Sequence, residues 1–128
     1  MGIYAVAAVG AGAALGAWLR WWFGIILNPV FPTLPLGTLA ANLTGGYLVG
    51  MALEYFHHNT LLPPEARLFA ITGFLGGLTT FSTFSAETVT LLLREQYGWG
   101  FLIIFSHLAG SLVMTILGMM TVKWLAQA

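Results

Sequence analysis

The densest chemistry in the chain lies in one run, Gly73-Phe-Leu-Gly76-Gly77-Leu78-Thr79-Thr80-Phe81-Ser82-Thr83-Phe84-Ser85, with Glu87 two residues beyond it. Phe81 and Phe84 are three apart and share a face wherever the segment is helical. A phenyl ring carries a positive edge, and Ser82, Thr83 and Ser85 set hydroxyl donors around the two rings. Ring edges and hydroxyls together can meet a small anion without a fixed cation, which would hold it too tightly for conduction. Core packing is the usual fate of such a phenylalanine pair, although the hydroxyls are out of place on a purely apolar face. Glu87 is a functional candidate if it lies at membrane depth, or a hydrated side chain if it lies near the interface.

Other polar groups stand in apolar surroundings. Asn42-Leu43-Thr44 has the form of a glycosylation sequon but sits inside an apolar run rather than a surface loop. An amide there needs partners, and two roles are open for Asn42: an interhelical hydrogen bond or a donor facing a pore. Arg20, near the end of another apolar run, either snorkels to the interface or sets a positive potential at a vestibule. His107 and Ser111 are four apart, on one face, and either extend a polar track or bond to neighbouring helices. His57 and His58 are adjacent, and no carboxylate is expected to accompany them at metal-site spacing. The chain has no cysteine, which excludes disulfides and thiolate metal sites. No nucleophile–base pair or metal set stands out, so an enzyme is the least supported class.

The elements that must position these groups belong in a bilayer. Of 128 residues, 59% are hydrophobic and 6% charged, and so few charges cannot cover a soluble domain whose usual charged share is roughly 25%. A membrane helix needs about 20 mostly apolar residues, and four stretches supply them within a single domain: about 3–27, 37–56, 65–94 and 98–125. The first lacks a basic leader and is too long for a signal-peptide core, so it is expected to be a span. Asn28-Pro-Val-Phe-Pro-Thr-Leu-Pro35 ends it, since proline does not fit a helix interior. Pro64 opens the third. Gly73, Gly76 and Gly77 followed by the hydroxyl run are poor helix formers and predict a break in the third helix at mid-membrane depth. Irregular backbone there is tolerated where it is buried in protein or lines a cavity, and such broken helices mark ion sites.

Charge chooses no orientation. Arg67 and Lys123 fall on one side of the bilayer and Arg20 and Arg94 on the other, so there is no positive-inside bias. Copies can then insert both ways up, which makes an antiparallel dimer possible; the plainer reading is a weak bias set by a partner. A net charge of zero offers nucleic acid no basic field. Gly12 and Gly16, Gly46 and Gly50, and Gly73 and Gly77 are pairs at the spacing that lets helices approach closely in lipid. Gly10 and Gly12 also begin a dinucleotide-type fingerprint, but Leu15 occupies its third glycine position and no β-α-β unit surrounds it.

These motifs resemble the Fluc (CrcB-type) fluoride channels over nearly the whole chain. The resemblance rests on Gly16-Ala17 followed by Arg20, on Gly37-Thr-Leu-Ala-Ala-Asn42 followed by Gly45, on the Gly73–Ser85 run with Glu87, and on His107-Leu-Ala-Gly110-Ser111. It implies an antiparallel, dual-topology homodimer with two pores in the inner membrane of a prokaryote, exporting fluoride passively and selectively. It implies a pore lined by Asn42, Phe81, Phe84, Ser82, Thr83, Ser111, Glu87 and His107, with Arg20 at the vestibule. Asn42 would be a donor, Phe81 and Phe84 ring-edge contacts, and Thr83, Glu87 and Ser111 a polar track. It also implies a structural Na+ at the dimer centre on the backbone carbonyls of Gly76 and Thr79. Ile103 stands where some members have Tyr, His107 where some have Ser, and Trp21 where many have Tyr. A small multidrug transporter has the same size and topology but needs a carboxylate in its first span, where this chain has none. A structural membrane subunit without transport would explain the size and the glycine pairs, but would leave Asn42 and the hydroxyl run without purpose.

Overall fold

The computed structural model describes residues 2–128, all of whose regular structure is helical. Helix α1 spans Ile3–Leu27 and passes through a 3-10 turn, Asn28–Val30, into the proline loop. Asn28 clasps that loop by accepting the Gly37 N–H on Oδ1 at 2.7 Å. Helix α2 spans Leu36–His58. The third span is composite: α3, Pro64–Arg67, a π-helical stretch Leu68–Leu75, α4, Gly76–Leu78, and α5, Phe81–Leu93. Helix α6 spans Tyr97–Gln127. Among the described residues, four spans, Ile3–Val30, Leu36–His58, Pro64–Leu93 and Tyr97–Gln127, are long and apolar enough to cross a membrane.

The turn after α5 is closed by backbone. Gln96 N–H reaches the Leu91 carbonyl at 2.9 Å and Glu95 N–H the Leu92 carbonyl at 3.0 Å. This is the double bond of a Schellman cap, and Glu95 takes the left-handed position at φ 60°.

Glycine seams hold the bundle. A Cβ added to Gly12 or Gly16 would strike the backbone of Phe69, Gly73, Phe74 or Leu78, and one added to Gly77 would strike Ala13. Gly46 and Gly50 lie in the same way against the backbone of Ser111 and Thr115, and Gly118 against Tyr47. So α1 meets the third span and α2 meets α6 nearly backbone to backbone, the geometry that small residues permit in lipid. Thr115 Oγ1 ties the second seam with 2.9 Å hydrogen bonds to the carbonyls of Gly46 and Ser111. The side-chain core is small. Ala41, Leu75 and Leu78 form one cluster and Leu34, Leu91 and Ile103 the other. Large apolar side chains such as Trp18, Trp21, Phe101 and Phe105 face outward, as they would toward lipid tails or a second copy.

Candidate functional site

Between Leu78 and Phe81 the helix is interrupted. Thr79 (φ −84°, ψ 154°) and Thr80 (φ −147°, ψ 122°) are extended. Two extended residues in an apolar setting strand peptide groups that must find partners. Some are met from outside the helix. Asn42, on α2, accepts the Thr80 N–H on Oδ1 at 2.8 Å and donates from Nδ2 to the Thr80 carbonyl at 3.0 Å. Thr80 caps α5 by accepting the Thr83 N–H on Oγ1 at 3.1 Å, and its hydroxyl donates to Thr83 Oγ1 at 3.0 Å. Arg20 Nε, on α1, donates to the Gly77 carbonyl at 3.0 Å. A guanidinium at the C-terminal end of α4 also opposes the negative end of that helical half.

Carbonyls are left over by the same arithmetic, those of Gly76 and Thr79 among them. The Thr80 N–H that would bond to the Gly76 carbonyl goes to Asn42, and the Thr83 N–H that would bond to the Thr79 carbonyl goes to Thr80 Oγ1. Oxygens freed in this way are the donor type a hard monovalent cation takes in unwound membrane helices, so Gly76 and Thr79 fit a Na+ in chemistry.

Beside the break lies a cavity of about 450 Å³, whose wall includes Asn42, Phe81, Phe84, His107 and Ser111 as well as Gly76, Thr79 and Thr80. Among the described residues, no Asp, Glu, Lys or Arg lines it. The Phe81 and Phe84 rings meet edge-on, centroids 5.6 Å apart at 67°, and Phe84 lies 4.6 Å from the His107 ring at 35°. Phe84 is half-buried, but Phe81 is 80% exposed. His107 Nδ1 lies 2.9 Å from Asn42 Nδ2. Ser111 Oγ donates to the Leu108 carbonyl at 3.2 Å. A second cavity, about 320 Å³, is lined by Arg20, Asn28, Thr38, Thr80 and Thr83 among others. Thr80 borders both cavities.

The residues singled out from the sequence therefore divide. Asn42, Phe81, Phe84, His107, Ser111, Gly76 and Thr79 share the first cavity, and Arg20 and Thr83 the second. Ser82 is exposed and lines neither, its Oγ 3.4 Å from Thr80 Oγ1. Glu87 lines neither; its Oε2 accepts a 2.6 Å hydrogen bond from the Thr38 hydroxyl, while its buried Oε1 has no partner among the described residues. Sequence reasoning missed Thr38, Thr80 and Thr115. Thr80 alone had a signal, a threonine directly before a helical run. It also overlooked Glu54, whose Oε1 lies 2.8 Å from His58 Nε2 one helical turn away.

Comparison with known proteins gives this geometry a context. A family model described as "CrcB-like protein, Camphor Resistance (CrcB)" matches residues 7–119. A protein of Nitrosospira multiformis named fluoride-specific ion channel FluC is 86% identical over 99% of both chains. Relatives of the same name in Thiobacillus denitrificans and Cupriavidus taiwanensis are 61% and 56% identical, over 92% and 98% of this chain and 95% and 100% of their own.

Proposed function

Since this chain belongs to the CrcB family, we propose that it is a multi-pass membrane channel that passes fluoride passively and carries out no chemical reaction. The observation that carries the reading is the uncharged wall of the larger cavity, built from ring edges, an imidazole, an amide and a hydroxyl. Fluoride is small and strongly hydrated, so a filter must replace its water with several weak donors. No single one may bind so strongly that the ion cannot leave. A carboxylate in that wall would repel the ion, and an ammonium or guanidinium would trap it.

The finer architecture belongs to the same proposal. Two copies lie antiparallel in the inner membrane of a prokaryote, and each exposed Phe81 completes its cavity wall against the partner, so that the dimer holds two pores. The third span breaks near the bilayer midplane. Arg20 and Thr83 line the approach, the larger cavity holds the filter, and Ser82, Glu87 and Ser111 flank the path. Gly76 and Thr79 from both copies hold a Na+ at the two-fold axis, where its charge raises the potential felt by the anion.

The test is efflux from liposomes holding the purified protein. Fluoride and chloride are followed with ion-selective electrodes, with valinomycin and K+ to clear the charge. Fast fluoride release without chloride release, abolished in Phe81→Ile, is the expected result. Release of neither ion from folded dimer would leave a structural subunit as the better account. Exchange of Na+ for a large organic cation is expected to slow release; unchanged release would remove the cation from the mechanism.

A further inference from the structure

The peptide unit between Thr79 and Thr80 is gripped by α2 at both ends. At one end the Thr80 N–H is taken by Asn42 Oδ1 at 2.8 Å. A trans peptide is planar, with its N–H and C=O pointing opposite ways, so the Thr79 carbonyl is turned away from Asn42. At the other end the Thr79 methyl, Cγ2, fills the place that a side chain at buried Gly45 would take: a Cβ added to Gly45 would strike that methyl before any other atom. Asn42 and Gly45 are three apart on α2 and share one face.

The methyl is not free to swing aside. Thr79 Oγ1 donates to the Leu75 carbonyl at 2.8 Å, the same oxygen that accepts the Thr79 N–H at 3.0 Å. The β-carbon of threonine is chiral, so a hydroxyl fixed in direction fixes the methyl too, and χ1 of a β-branched side chain is stiff. A carbon added at position 45 therefore either breaks the hydroxyl bond or displaces the Thr79 backbone.

We propose that Gly45 is a positioning residue for the cation-binding carbonyl of Thr79. Its notch seats the methyl, and with Asn42 holding the next N–H it sets the direction in which the Thr79 oxygen points. The proposal rests on the Na+ part of the reading above. Nothing within the third span does this work, because the Thr83 N–H that would hold the oxygen goes to Thr80 Oγ1. On the other flank the Arg20 Nε bond to the Gly77 carbonyl steadies the end of α4. A carbonyl replaces a cation's water only with its oxygen aimed at the ion, so a tilt of this one peptide plane is felt as lost affinity.

The test moves one methyl group across the helix contact. Thermal unfolding of the detergent-solubilised protein is followed in NaCl and in N-methyl-D-glucamine chloride. A cation that binds only the folded protein raises the midpoint with its concentration, and that rise reads affinity apart from basal stability. Na+ is expected to raise the wild-type midpoint. Gly45→Ala is expected to need at least about tenfold more Na+ for the same rise. Thr79→Ser, which keeps the hydroxyl and empties the notch, is expected to fall between the two. In Gly45→Ala/Thr79→Ser the alanine methyl takes the seat that the threonine methyl leaves, and the Na+ dependence is expected to return close to that of wild type. A Gly45→Ala protein of lower basal stability but unchanged Na+ dependence would overturn the proposal, since packing alone produces that result. So would a double variant that binds Na+ no better than Gly45→Ala or, where Gly45→Ala does not fold, no better than Thr79→Ser. Wild-type protein with one midpoint in both salts would overturn the Na+ reading itself and the proposal with it, a failure distinguishable from that of the notch alone, which leaves wild type responsive to Na+.

Discussion

Few side chains in this protein act alone. Asn42 serves the Thr80 peptide groups and the His107 ring at once. Asn42→Asp is the most informative change here, because it keeps the shape and the oxygen that accepts from Thr80 N–H. It turns the donor end into a second acceptor, facing the Thr80 carbonyl and His107 Nδ1. An unmatched buried polar group costs about 1–3 kcal/mol, enough for at least about a tenfold loss of fluoride efflux. A lower unfolding temperature of the detergent-solubilised protein should accompany it. Efflux at the wild-type rate would mean that the amide hydrogens are not needed. The sequence left both roles of Asn42 open, because spacing along one helix says nothing about which atoms of another helix it meets. For the same reason Thr38, whose hydroxyl is committed to Glu87 across 49 positions, gave no sign of its place.

At the scale of elements, the four apolar helices were legible because length and hydropathy fix them. The composite character of the third span was partly so. Glycine and hydroxyl residues announce poor helix, but not which two peptide units leave it. The π-helical stretch Leu68–Leu75 had no signal in local propensity; it is the part of the third span that meets α1 backbone to backbone at Gly12 and Gly73. The Schellman cap after α5 offers an independent check of the backbone. Glu95 holds a left-handed conformation that costs a non-glycine residue roughly 1–2 kcal/mol. Glu95→Gly is expected to raise stability by about 1 kcal/mol, read as a higher midpoint in thermal unfolding of the solubilised protein, with fluoride efflux unchanged. A lower midpoint would mean that the Glu95 side chain contributes more than its backbone strain costs.

For the molecule as a whole, balanced charge makes a prediction about topology. With Arg20 and Arg94 opposed to Arg67 and Lys123 and no cysteine in the chain, a single cysteine at Ala128 reports the side on which each copy ends. Labelling of spheroplasts with an impermeant maleimide is expected to modify about half of the protein, the rest reacting only after permeabilisation. Complete labelling from one side would rule out the antiparallel pair. The tie between Asn42 and Thr80 bears on biogenesis as well. The amide that fills the gap in the third span lies 38 positions before it. A ribosome working from the N-terminus delivers α2 to the bilayer first. When the extended threonines emerge, their partner is already waiting, and the bare peptide groups need not linger in hydrocarbon.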